Sequence, residues 1–150
     1  MFQNPEIALD SLPDMENLDW QQIHPRYARR LQVERALFVA GIAIAIFAAK
    51  LFVGKRNYRS FASNRNYEME TYVRRLTRCE VRRSGKQLTF IIEGDGFLYK
   101  MCRGIVGTLV QVGEGRLNAA AIRQILKAQD RRVAGMNAPA CGLVLWKVLY

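Results

Sequence analysis

Cysteine and histidine are scarce in this sequence. Cys79, Cys102, Cys141 and the single histidine, His24, are all that 150 residues contain. The cysteine count is odd and no Cys-x-x-Cys pair occurs. A disulfide scaffold, a zinc finger and a Cys/His catalytic pair are therefore poor fits, and no metal site is expected. Reduced thiols in a cytosolic protein fit the count better. Acids are scarce too: past the N-terminal tail and Glu34 only seven remain. No His-Glu-x-x-His, Walker A loop, Gly-x-Ser-x-Gly or paired-carboxylate spacing is present. Apolar residues are not scarce. They make up 50% of the chain, with 10% aromatic, which excludes disorder of the whole molecule.

The charge is unevenly spread. Residues 1–19 carry five acids (Glu6, Asp10, Asp14, Glu16, Asp19) and no base. Residues 20–150 carry 23 bases against eight acids. Ten of those bases fall between Lys55 and Lys86, facing only Glu68, Glu70 and Glu80. A field of this sign favours a polyanion, either nucleic acid or an anionic membrane surface. The bland alternative is a solvated basic face with no specific partner.

Three regions separate by composition. Residues 1–25, broken by Pro5, Pro13 and Pro25, read as an acidic, poorly ordered tail. Residues 26–54 run from a basic stretch (Arg26, Arg29, Arg30, Arg35) into an apolar helix. Residues 55–150 read as one compact α/β unit. The apolar stretch keeps two readings open. From Ala36 to Val53 it has eighteen residues interrupted only by Lys50, just enough to span a bilayer. Six of the eighteen are alanine, and bases flank both ends. That favours a buried or docking helix over a membrane segment.

The compact unit predicts strand, strand, helix, helix, strand. Residues 70–94 form a hairpin around Ser84-Gly85-Lys86. In its first strand Val73, Thr77, Cys79 and Val81 take one face, and Arg75 breaks that face. Leu98, Met101, Ile105, Leu109 and Val112 make a helical stripe ended by Gly113 and Gly115. Asn118 is placed to cap a helix over 119–128. An apolar strand over 143–150 closes the chain.

Few residues carry chemistry. Arg103 is the one charge on the helix between Lys100 and Glu114. A guanidinium on so apolar a helix should meet a carboxylate or phosphate, and Asp95 and Asp130 are the local candidates. Its alternative is to snorkel, or to tie a loop to the helix. Gly104 and Gly107 imply close approach of another backbone or of a ligand, since glycine inside a helix costs about 1 kcal/mol. Bases alternate with aromatics in Lys55-Arg56-Asn-Tyr58-Arg59-Ser-Phe61 and Arg65-Asn-Tyr67. Such rings stack on unpaired bases, or equally anchor a core.

Several blocks, in order, carry a resemblance. They are Ala48-Ala49-x-x-x-Val53-Gly54-x-x-x-Tyr58-x-x-Phe61 and Gly96-Phe-Leu-Tyr-Lys-Met-Cys-Arg-Gly-Ile-Val-Gly-Thr-Leu109. They continue in Gly113-x-Gly115, Ile125-Leu126-x-x-x-Asp130-Arg131, Ala138-Pro139-Ala140-x-Gly142-Leu143-x-Leu145 and Val148-x-Tyr150. Over about residues 48–150 the chain resembles the C-terminal half of the tRNA pseudouridine synthase A family. The resemblance implies a cofactor-free enzyme that isomerises uridine to pseudouridine in the anticodon stem-loop of tRNA, working in the cytoplasm as a homodimer. It implies an antiparallel sheet flanked by helices. It implies that Arg103 pairs with the family's catalytic aspartate, and that Phe97, Met101 and Leu143 lie near the substrate pocket. Lys100 and the bases of 55–83, namely Lys55, Arg56, Arg59, Arg65, Arg74 and Arg78, would serve the RNA backbone.

The sequence also departs from the family. The Gly-Arg-Thr-Asp motif that carries the nucleophile is absent, as is the Gly-Val-His-Ala stretch. Residues 1–46 do not resemble the family and look more like the start of a small bacterial membrane protein, as in a truncated or fused gene product. The expectation is a tRNA pseudouridine synthase portion that does not turn over alone, with an uncovered apolar sheet face that promotes self-association. The alternative is a non-catalytic RNA-binding module, tethered to a membrane through 36–53.

Overall fold

The computed structural model describes residues 25–63 and 69–148. Among them the order is α1 (Pro25–Ala49), β1 (Gly54–Asn57), β2 (Val73–Ser84), β3 (Gln87–Gly94), α2 (Met101–Gly113) and α3 (Ala121–Ala128). Short 3-10 turns occupy Lys50–Phe52, Arg59–Phe61, Arg131–Val133 and Ala140–Gly142. The expected acidic tail, and Arg65 and Tyr67, lie outside the described residues. The chain divides into two units, Met1–Arg35 and Ala36–Tyr150. Within its described residues the first unit contributes the opening turns of α1. The second is α+β, as the sequence predicts, with an antiparallel sheet in the order β1-β2-β3.

The hairpin forms where expected. Ser84 pairs with Gln87 across a two-residue turn, and Gly85 sits at φ 59°, a conformation that favours glycine. The strand faces differ from the expected alternation. The register steps from Leu76↔Gly94 to Arg78↔Glu93, leaving Thr77 as an extra residue. Such a bulge shifts the inward face by one position. Leu76 is buried before it, and Cys79 and Val81 after it, while Arg75 and Thr77 face solvent. Arg75 therefore does not break an apolar face. It belongs to the outer one. β1 was not expected as a strand, because its Gly-Lys-Arg-Asn sequence carries no apolar alternation.

The core gathers Phe52, Tyr58, Phe61, Leu76, Met101, Ile105, Leu109 and Ile122, all fully buried. Phe52 and Phe61 meet edge to face at 5.3 Å, and Tyr58 meets Phe61 at 6.3 Å. The Tyr58 hydroxyl donates to the Phe52 carbonyl, and burial holds the phenol above its ordinary pKa. Ser60 Oγ donates to the Ile125 carbonyl at 2.6 Å, tying this turn to α3. Tyr58 and Phe61 are thus core anchors. They do not offer ring faces for base stacking.

Three boundaries move. The stripe begins at Leu98, yet α2 starts only at Met101, after Lys100 in the left-handed region at φ 60°. Leu98 is buried from the preceding turn, whose carbonyl accepts the Met101 N–H at 2.9 Å. α3 begins at Ala121 after Ala120, and the expected cap Asn118 instead closes the preceding turn, its Oδ1 accepting from the Ala120 N–H at 2.9 Å. The closing strand is absent among the described residues. Residues 143–148 are exposed and unpaired, Trp146 to 92%. Their sequence suits a strand, but they pair with none of β1, β2 and β3.

Candidate functional site

Two features of the second unit can act on a ligand: a cationic strand pair and the N-terminal end of α2 with its attached loop. The strand pair follows from register. Lys55 stands opposite Arg75, and Arg56 opposite Arg74. Like charges directly opposite destabilise an antiparallel pair, so this stretch favours an anion between them. The four cations are not equivalent. Arg74 Nη1 donates to the carbonyls of Val73 at 2.7 Å and Thr71 at 3.3 Å. Arg56 Nε reaches the Val53 carbonyl at 3.4 Å. Lys55 and Arg75 are exposed, and neither enters an ion pair among the described residues.

The other expected RNA contacts fare unequally. Arg59 lies over the Tyr72 ring at 5.3 Å. Arg78 is held by Glu80 at 2.8 Å and Glu93 at 2.9 Å, and these bonds raise its pKa. Glu80 also accepts from Arg82, and its own carboxyl is held below the ordinary range, mainly by the Arg78 bond. Arg78 is therefore less available to a phosphate than the sequence alone suggests. Arg75 was missed as a candidate. Its signal was present, as the base that interrupts an apolar alternation.

The second feature centres on Arg103. The helix notch at Gly104 and Gly107 admits the backbone of residues 136–138 and the Phe61 turn, so the close approach is of backbone. A Cβ at Gly104 would stand 3.3 Å from Asn137 Oδ1 and 3.4 Å from the Phe61 carbonyl oxygen, and one at Gly107 would overlap the Met136 carbonyl. The loop is then fastened down. Gly135 N–H donates to Thr108 Oγ1 at 3.2 Å, and Ala138 N–H donates to the Arg103 carbonyl at 2.9 Å. Arg103 Nε returns a bond to the Ala138 carbonyl at 2.7 Å. Arg131, also missed, holds the loop from within through Gly135 at 2.9 Å and Asn137 at 3.0 Å.

Arg103 therefore ties a loop to its helix. The expected carboxylate is not there. Asp95 accepts the Arg75 backbone N–H at 2.9 Å, and Asp130 is paired with Arg132 at 2.7 Å. Asp95 is thus committed to the β2 backbone and Asp130 to its own turn. The guanidinium is half-buried, and no carboxylate among the described residues forms an ion pair with it.

The three expected pocket residues differ in exposure. Phe97 is 41% exposed, Leu143 is exposed in the unpaired segment, and Met101 is fully buried in the core. A cavity of about 360 Å³ does occur, but Ile46, Lys50, Val53 and residues 77–81 of β2 line it. Of the expected site residues only Arg78 touches it. Tyr99, exposed beside Phe97, lies 5.0 Å under the Lys100 ammonium. No group of three His, Cys, Asp or Glu side chains that could hold a metal occurs among the described residues.

Fold and surface define a class first: a small basic α+β domain with a cationic strand pair and a loop-bearing, glycine-notched helix. Likeness to known proteins narrows it. A family model described as tRNA pseudouridine synthase matches residues 48–150, and the chain belongs to that family. It is 46% identical over 103 residues to the tRNA pseudouridine synthase A of Brevibacillus brevis, covering 69% of this chain and 42% of that protein. The protein of the same name from Geobacillus kaustophilus is 45% identical over 103 residues, covering 69% of this chain and 40% of its own. The chain thus spans about two fifths of the length of the curated relatives it matches.

Proposed function

We propose that this chain serves uridine-to-pseudouridine isomerisation in tRNA, as the portion that holds the RNA and presents Arg103. The observation that carries this is the family match, which runs unbroken across α2 and the loop fastened to it. Lys55 and Arg75 meet phosphates on one sheet face, and Arg56, Arg59, Arg74 and Lys100 are the further cations offered to the RNA backbone. Phe97 and Tyr99, exposed at the entry to α2, flank the uridine. Arg103, its Nε fixed by Ala138, keeps its terminal amines for a carboxylate. The family's nucleophilic aspartate belongs to a motif this sequence does not contain. The match to a catalytic family favours this reading over a binding module of unrelated origin.

On this reading the chain alone binds tRNA without turning it over. It acts in the cytoplasm, as a homodimer, and needs no cofactor. The family domain takes in residues 48–150, and α1 leads into it. The test is a pseudouridine assay on unmodified tRNA with the purified chain and with Arg103→Ala. No product from either, with tRNA bound by both, is the expected result. Product that disappears on Arg103→Ala would mean that a carboxylate of this chain acts as nucleophile, against the reading given.

A further inference from the structure

Helix α1 is built the wrong way round for a helix docked on a water-soluble domain. From Ala36 onward its inward stripe is Gly41, Ala45, Ala48 and Ala49, all buried. Gly41 rests so closely on α2 that a Cβ there would overlap the Gly113 carbonyl. Its large apolar side chains point outward. Ile44 and Phe47 are exposed on the side away from that stripe, Phe47 to 66%, and Leu37, also 66% exposed, extends the same face toward the helix start. A docked helix in water turns its large residues inward and its polar ones outward. Small residues at a close helix contact, with large aliphatic and aromatic ones outside, is the arrangement used where the outside is lipid.

The charges around this face select the kind of lipid. Arg26, Arg29, Arg30 and Arg35 precede the apolar run in the sequence. Lys50 is exposed at its other end, and the Arg83 guanidinium lies 5.4 Å over the Phe38 ring. Bases beside an apolar helix face suit anionic headgroups, with the apolar side chains reaching the acyl boundary. The run is long and apolar enough to cross a bilayer. The docked stripe, however, keeps one side of residues 41–52 against the domain, which leaves the helix lying along a surface.

We propose that α1 seats the molecule on an anionic membrane surface through Leu37, Ile44 and Phe47. This stands on the helix alone and does not depend on the proposed activity. The test is flotation of the full chain with vesicles of equal parts phosphatidylglycerol and phosphatidylcholine, at low and high salt. The companion is Leu37→Ser/Phe47→Ser, two exposed positions on one helix face, with folding checked by circular dichroism. The expected result is flotation that partly survives high salt and falls roughly tenfold or more in the double variant. Flotation abolished by salt and unchanged in the variant would reduce the interaction to charge and overturn the proposal. Absence of flotation would overturn it too, and a dimer in sedimentation that the variant dissolves would then identify a second copy as the cover.

Discussion

Replacing Tyr58 by phenylalanine would remove one hydroxyl and strand the Phe52 carbonyl in a dry core. An unsatisfied buried acceptor costs roughly 1–3 kcal/mol, so chemical denaturation should show Tyr58→Phe destabilised by that order. Ser60→Ala should behave alike, through the Ile125 carbonyl. An unchanged midpoint in both would contradict the role given to this turn. The cysteines make a second prediction. Burial pushes Cys79 up to about 12 and Cys102 up to about 11. Both thiols keep their protons to higher pH when folded than when unfolded, so the stability they confer is whole below the unfolded value. It is lost as pH rises from there through the folded values. At pH 8, iodoacetamide should label exposed Cys141 first, half-buried Cys102 more slowly, and buried Cys79 only on unfolding. Labelling of all three at equal rates would count against the packing of β2 and α2. At Glu80 the charge can be released: Glu80→Gln should free Arg82, leave Arg78 held by Glu93 alone, and tighten tRNA binding. Weaker binding would show those arginines to be positioned by Glu80 for the RNA.

Elements depend on backbones that fit together. Gly107→Ala puts a methyl into the Met136 carbonyl, so the loop that Arg103 and Arg131 hold must lift. Proteolysis within 131–138 should become faster while the β2–β3 hairpin stays protected; equal protection would mean the notch is slack. How legible such elements were in the sequence depended on the range of their interactions. The hairpin, α2 and α3 follow from local periodicity and turn residues, and they were legible. β1 was not, since four polar residues become a strand only because β2 lies beside them. The bulge at Thr77 was visible only as an unexplained Arg75. Residues 143–148 show the converse, a strand-like sequence left exposed because pairing is a tertiary event. At the site, Arg103 was legible as a charge needing a partner. Its partner is the Ala138 carbonyl, which no side-chain inventory could have named.

At the scale of the whole molecule, charge and apolar surface point to two different partners. The strand pair concentrates like charges across β1 and β2, and α1 turns its large apolar residues outward. The first is the central claim. The direct measurement is tRNA affinity as a function of salt, for the full chain and for Lys55→Ala/Arg75→Ala. Cations that neutralise phosphates release counterions, so affinity should fall steeply with salt. The double variant should bind more weakly, with a slope shallower by roughly 0.7 for each phosphate that it no longer neutralises. Binding that ignores salt, or a variant with the same affinity and slope, would contradict the account.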